Sequence, residues 1–281
     1  MAKKAKKKTA KRNLKIIWTF ARGFIEILWA YFAWMVPYSR HPEKYPLEKR
    51  YAKIRKFIIS LTKHMRFDFE GKNVERLREH KAALYVANHQ SVLDPLMIII
   101  GCPHPIKFIA KKEALKIPFA GRVLKAMGSL FLDRDDPRQA LSIFADAQKE
   151  LAAGVCSYGI FPEGTRNRDP EHVDLGEFHP GSLKVGTRAG VPIIPCTQYG
   201  DFHIFGTNEL NRSELVMLTV HEPILPEEGK KTNTVELTEK IRAEMTEEIR
   251  VMREKDKAYM ASKKSRHKGR KWWKEHLEVY A

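Results

Sequence analysis

Cysteine is scarce. Cys102, Cys156 and Cys196 are the only three in 281 residues; none forms a CxxC pair, and none is grouped with histidine at zinc spacing. No disulfide framework and no Cys/His metal site is expected, and the three read as buried thiols of a reducing compartment. The P-loop, GxGxxG, GxSxG and HExxH signatures are also missing. That removes glycine-rich nucleotide loops, the serine nucleophile elbow and the zinc-protease helix from the candidate chemistries. There is no internal repeat, and biased composition is confined to the two ends. Residues 1–15 contain no acid at all, but seven lysines and one arginine.

Basic residues are abundant: 51 Lys and Arg stand against 34 Asp and Glu, a formal charge of +17. Such an excess calls for a polyanionic partner, either nucleic acid or anionic lipid. It is concentrated at the termini, because residues 263–274 add seven more cations around Trp272 and Trp273. The tails read as surface-docking elements around a more ordinary middle. With 43% hydrophobic residues, that middle has enough apolar material for a sizeable core.

Residues 16–36 are almost continuously apolar and aromatic, about the length that spans a bilayer. Arg22 and Glu26 interrupt the run four residues apart, so on a helix they share a face and can pair. A charged pair at mid-bilayer is costly, which favours insertion in the interface plane over spanning. The same charges spoil a signal-peptide core, and no A-x-A site follows. A soluble core helix is the third reading of the segment. Ile54, Phe57, Ile58, Leu61 and Met65 then recur at helical spacing, after a break marked by Pro37, Pro42 and Pro46. The expectation is a membrane-associated two-helix hairpin.

From Phe67 onward, short apolar runs alternate with helical stretches. Strands are predicted at 82–87, 107–110, 129–132, 157–161, 191–196 and 215–220, and helices at 93–101, 119–127, 139–153 and 182–189. That alternation predicts an α/β fold with a mainly parallel central sheet flanked by helices, whose sites form where strands end and helices begin. The organisation read from the chain is a basic tail (1–15), the hairpin (16–66), an α/β domain (67–232) and a helical, basic C-terminal extension (233–281).

Three polar groupings fall at such strand ends. The first is Asn88-His89-Gln90-Ser91-Val92-Leu93-Asp94. His89 and Asp94 would stand about 140° apart on one helix, too far round to pair. His89 therefore belongs in the turn and Asp94 at the helix start, with Pro95 at a position that tolerates proline. There the carboxylate can hold one imidazole nitrogen and leave the other free as a base. The same residues also fit a turn histidine beside a capping aspartate. The second grouping is Phe161-Pro162-Glu163-Gly164-Thr165-Arg166, whose exposed N–H groups and guanidinium suit a phosphate; it also fits a plain Pro/Gly turn. The third, Gly128-Ser129-Leu130-Phe131-Leu132-Asp133-Arg134, reads by itself as a buried strand ending in an ion pair.

In this order, and with Val191-Pro192-Ile193-Ile194-Pro195 following, the groupings resemble the glycerolipid acyltransferase family over roughly residues 65–225. The family carries N-H-x4-D, a G-x-[IV]-F-[IV]-D-R strand, F-P-E-G-T-[RS] and V-P-[IV]-[IV]-P. The resemblance implies that His89 takes the proton of a lipid hydroxyl as that oxygen attacks an acyl thioester, while Asp94 orients the imidazole. It implies that Arg166, with Glu163, Gly164 and Thr165, shapes the acceptor's phosphate site. Lys111 adds charge there, and Arg134 is a second phosphate candidate. The implied reaction makes phosphatidic acid from lysophosphatidic acid, with acyl-CoA or acyl carrier protein as donor, no cofactor and no metal, at the cytoplasmic face of the cell membrane. Glycerol 3-phosphate or another lysophospholipid is the alternative acceptor. Two readings from other classes compete: a membrane-anchored nucleic-acid-binding protein, supported only by the lysine-rich tail, and a catalytically silent lipid-binding relative. Leu130 and Leu132 depart from the family's β-branched residues, Asn167 stands where serine is frequent, and the basic tails exceed what the motifs require.

Overall fold

The computed structural model describes residues 21–262 except 22, 63, 66, 118, 134, 205–213 and 228–231. The basic tails, the start of the apolar segment, Arg22 and Arg134 therefore lie outside the described residues.

Seven strands form one sheet: β1 (Phe67–Lys72), β2 (Leu84–Ala87), β3 (Ile106–Lys111), β4 (Leu130–Leu132), β5 (Ser157–Ile160), β6 (Ile193–Tyr199) and β7 (Glu214–Val220). Their order is β1-β7-β6-β2-β5-β3-β4, and every pairing is parallel except β6 with β7. β2, β5 and β6 are buried along their whole length, which is why they read as continuous apolar runs rather than alternating ones. Tyr85, Ala87, Ile194 and Cys196 face one apolar layer; their neighbours Leu84, Val86 and Ile193 face the other. The first layer is closed by the N-terminal helices together with α3 (Asp94–Gly101) and α4 (Ala120–Met127). The second is closed by α5 (Pro137–Ala152), α6 (Lys184–Ala189) and α7 (Thr234–Ala261).

β1 is the one strand the apolar pattern hides, because its sequence alternates with Asp68, Glu70 and Lys72. It is an edge strand, and its acids are used by α7: the Tyr259 hydroxyl donates to Asp68 at 2.5 Å, and Lys255 pairs with Glu70. Charge on an edge also blocks pairing with another chain.

The N-terminal hairpin is present as two packed helices. Residues 23–30 are α-helical and continue through a π turn, Tyr31–Met35, into α1 (Val36–Arg40). Pro37 does not break this helix as the sequence suggests. It lies in the first turn of α1, where its missing N–H is tolerated, and the π turn before it absorbs the altered register. The second arm, α2 (Leu47–Thr62), buries Ile54, Phe57, Ile58 and Leu61 as the spacing predicts. Trp34 meets Phe57 edge-on at 5.5 Å between ring centroids. Glu26 approaches His64 of the second arm at 3.5 Å.

Arg50 and Arg55 are turned inward from α2. Arg55 donates to the carbonyls of Ile99 and Ile100, and Arg50 to that of Ala126, so each guanidinium satisfies the open C-terminal carbonyls of a helix beneath it. Among the described residues no helix is long and apolar enough to cross a membrane.

Candidate active site

β2 ends at Ala87, and the chain turns through Asn88–Leu93 into α3. Asn88 is fully buried and fixes this turn to the neighbouring strand: its amide donates to the Gln198 carbonyl at 2.9 Å and accepts the Gln198 N–H at 2.8 Å. A residue just past the end of β2 thus acts as one more rung of the β2–β6 ladder.

His89 follows. Its Nδ1 lies 2.5 Å from Asp94 Oδ2. The same oxygen accepts the backbone N–H groups of Gln90 at 2.8 Å and Ser91 at 3.0 Å. The carboxylate therefore turns back toward the loop rather than capping α3. With Nδ1 engaged, Nε2 is the imidazole nitrogen left to the cleft that His89 lines. The ring stacks on Phe161, with centroids 4.3 Å apart and planes inclined by 22°.

The backbone of His89 is held from across the sheet. Its N–H donates to Glu163 Oε1 at 2.8 Å, and its carbonyl accepts the Asn167 N–H at 2.7 Å. Glu163 also accepts the Gly176 N–H at 3.2 Å. Its carboxylate is thus spent on backbone donors beneath the histidine, while Gly164, Thr165 and Arg166 of the same loop line the cleft. Asn167, where the family's serine is frequent, also binds through its side chain: its amide donates to the Val173 carbonyl at 3.3 Å and accepts the Asp169 N–H at 3.0 Å.

Burial, then the Arg166 charge, lowers the His89 pKa from the ordinary imidazole value to about 4. Burial raises the Asp94 carboxyl to about 6, opposed by its hydrogen bonds. The contact between the two acts against both shifts. The balance leaves Nε2 unprotonated at neutral pH, the state a general base requires.

The cleft has a volume of about 400 Å³. Val92, Pro95, Ile117, Leu124 and Leu132 give it apolar walls; Lys111 and Arg166 bring positive charge close to His89. The structure thus gathers His89, Asp94, Lys111, Gly164, Thr165 and Arg166 in one place, with Glu163 behind them. A second hollow of about 540 Å³ lies along β7 and α7. Its polar side chains are hydrogen-bonded to one another, as Lys72 with Glu248, Thr219 with Glu248 and His221 with Glu244.

The profile of the Acyltransferase family matches residues 68–198, from β1 to the Gln198 that holds Asn88. A probable 1-acyl-sn-glycerol-3-phosphate acyltransferase of Mycoplasma pneumoniae is 34% identical over 189 residues, which are 63% of this chain and 67% of that protein. The chain belongs to the acyltransferase family. The 1-acyl-sn-glycerol-3-phosphate acyltransferase of Borreliella burgdorferi is 36% identical to this family member over 148 residues, 52% of the chain and 58% of the relative's own length. The crystal structure of the 1-acyl-sn-glycerophosphate acyltransferase of Thermotoga maritima shares the fold: TM-score 0.65 over 87% of this chain and 97% of that one, at 24% identity. Within the acyltransferase, sequence reasoning missed Asn88 as the tie to β6, Phe161 as the bed of the imidazole and Glu163 as a backbone clamp. All three sit inside the matched motifs, yet their partners are 74 to 110 residues away or on a facing ring.

Proposed function

We propose that the chain moves a fatty acyl group from a thioester, acyl-CoA or acyl carrier protein, to the sn-2 hydroxyl of 1-acylglycerol 3-phosphate, making phosphatidic acid. The observation that carries this reading is the His89–Asp94 pair opening on a cleft that combines apolar walls with Lys111 and Arg166. A lysophospholipid has the same division, an acyl chain joined to a phosphate. In the reaction His89 Nε2 accepts the hydroxyl proton as that oxygen bonds to the thioester carbonyl carbon. The tetrahedral species collapses, the carbon–sulfur bond breaks, and the leaving thiolate takes the proton from the imidazolium. Asp94 keeps its hydrogen bond to Nδ1–H throughout and stabilises the transient positive charge. Lys111 and Arg166 bind the phosphate, with the backbone of Gly164 and Thr165 at its edge. No covalent enzyme intermediate is needed.

The same reading places the protein on the cytoplasmic face of the cell membrane. Phe24, Ile25, Leu28, Trp29 and Phe32 are exposed on the first arm of the hairpin. That arm packs on α4, whose Ala120 and Leu124 line the cleft, and Arg122 of α4 donates to the Tyr31 hydroxyl at 2.9 Å. An apolar helix face beside a lipid site suits insertion in the interface plane.

The deciding experiment is turnover of purified protein with acyl-CoA and acyl carrier protein donors across a chain-length series. The acceptor panel holds lysophosphatidate, glycerol 3-phosphate and neutral lysolipids. Preference for lysophosphatidate is expected; equal or better turnover of another acceptor would refute that substrate assignment.

A further inference from the structure

Asp201 stands outside every motif and is 1% exposed. It opens the short turn Asp201–His203 after β6. Gly200 before it has φ +95°, and a Cβ there would come within 1.9 Å of the Leu215 carbonyl oxygen. Only glycine lets the chain bend back so closely under β7. The bend brings the Asp201 carboxyl against the Asp94 carboxyl and the Ser91 hydroxyl.

Both carboxyls are fully enclosed, and as carboxylates they offer each other only acceptors. Asp94 Oδ2 already receives three donors. Among the described residues, Asp94 Oδ1 and both Asp201 oxygens lack a well-aligned donor, and the Ser91 hydroxyl is the one donor lying close to Asp201. Buried acceptors without donors are rare, and two adjacent carboxyls cut off from water do not both ionise. One proton shared between them removes both difficulties. It belongs on Asp201, because the Asp94 charge is held by His89 and two backbone N–H groups, whereas Asp201 has only the Ser91 hydroxyl beside it.

We propose that Asp201 is a neutral carboxylic acid that donates a hydrogen bond to Asp94 Oδ1, and that it is the positioning residue that keeps the Asp94 charge on Oδ2, facing His89. Burial and the Asp94 charge push the Asp201 carboxyl well above the usual range, in keeping with this assignment. The other charged groups around the trio are Glu163, acting on His89 and Asp94, and Arg166 and Lys111, acting on His89. The positioning role rests on the reading of His89 as general base; the protonation state does not.

Two measurements test the proposal. In infrared difference spectra at neutral pH, the wild type shows a protonated-carboxyl C=O band that Asp201→Asn abolishes. Absence of that band, or its survival in the variant, overturns the assignment. In kinetics, Asp201→Ala lowers kcat by about tenfold with both KM values little changed, the loss of one hydrogen bond to a charged group. Asp201→Asn keeps a donor and recovers most of that rate, with the acid limb of kcat/KM where the wild type has it. If Asp201 were ionised, the Asn variant would remove a negative charge near His89 and move the limb down by about one pH unit. That shift, or an unchanged kcat in folded Asp201→Ala, refutes the positioning role. If Asp201→Ala does not fold, the isosteric Asn variant carries both readouts. A wild type without acyl transfer to any acceptor would sink the catalytic reading and the positioning role with it, while the infrared band still decides where the proton sits.

Discussion

At the scale of single residues, the site is a histidine whose basicity is set by what surrounds it. His89 loses water, faces Arg166 and keeps Nε2 open because Asp94 holds Nδ1. His89→Gln should lower kcat by roughly a thousandfold with the circular dichroism spectrum unchanged, the range expected for losing a general base; substantial residual turnover would contradict the assignment. The pH profile follows in sign. A protonated imidazole accepts no proton, so kcat/KM falls as pH drops through the His89 pKa. Burial and Arg166 place that limb below the ordinary imidazole value of about 6.5. Arg166→Ala removes the largest charge among the causes, so the limb should move to higher pH while the acceptor KM rises. A limb that stays put would show that the Arg166 charge does not reach the ring.

At the scale of elements, the geometry around His89 is a matter of two loops locked together. The loop after β5 grips both backbone groups of His89, through Glu163 and Asn167, and supplies Phe161 as the surface under the ring. The loop after β2 is pinned to β6 by Asn88. Asn88→Ala would leave the Gln198 N–H and carbonyl buried without partners, costing about 3 kcal/mol for the two groups together. Urea unfolding should show a lower midpoint at constant m-value, with kcat reduced more than KM. Preserved stability would mean that the ladder closes without the side chain. The strand runs and their alternation with helices were legible in the sequence because buried parallel strands are apolar throughout. β1 was not, since its charged side chains, which pair with α7, interrupt the apolar run. Pro37 misled for a related reason: a proline early in a helical turn looks like a break unless the π turn before it is known.

At the scale of the whole molecule, the hairpin and the cleft both adjoin α4. Lipid entering from a membrane would meet the exposed face of residues 24–32 and the cleft over α4 together. Replacing Trp29 and Phe32 jointly by glutamate should weaken binding to anionic vesicles by about tenfold or more, given the apolar area lost and the charge added. Vesicle flotation would measure it, and turnover of a short-chain, water-soluble acceptor should be spared. Equal flotation of wild type and variant would move the docking surface elsewhere. Higher salt should loosen binding further, since the +17 excess acts through screened attraction.

The sequence alone determined the class of the sheet and the helical hairpin, because each depends on periodicity within a short stretch of chain; it offered the pairing of His89 with Asp94 beside a plain capped turn, and the resemblance favoured the pair. The 2.5 Å contact in the structure chose between those two geometries. The sequence also identified Arg166 and Lys111 as the charges beside that pair, through motif order. Only the tertiary structure decided what holds the pair in place. Asn88 meets Gln198, His89 meets Glu163, and Asp94 meets Asp201 across 74 to 110 residues of chain. Those contacts are set by strand order and register, with β6 and β5 lying on either side of β2. No local pattern encodes which loop ends become neighbours when seven strands are laid side by side.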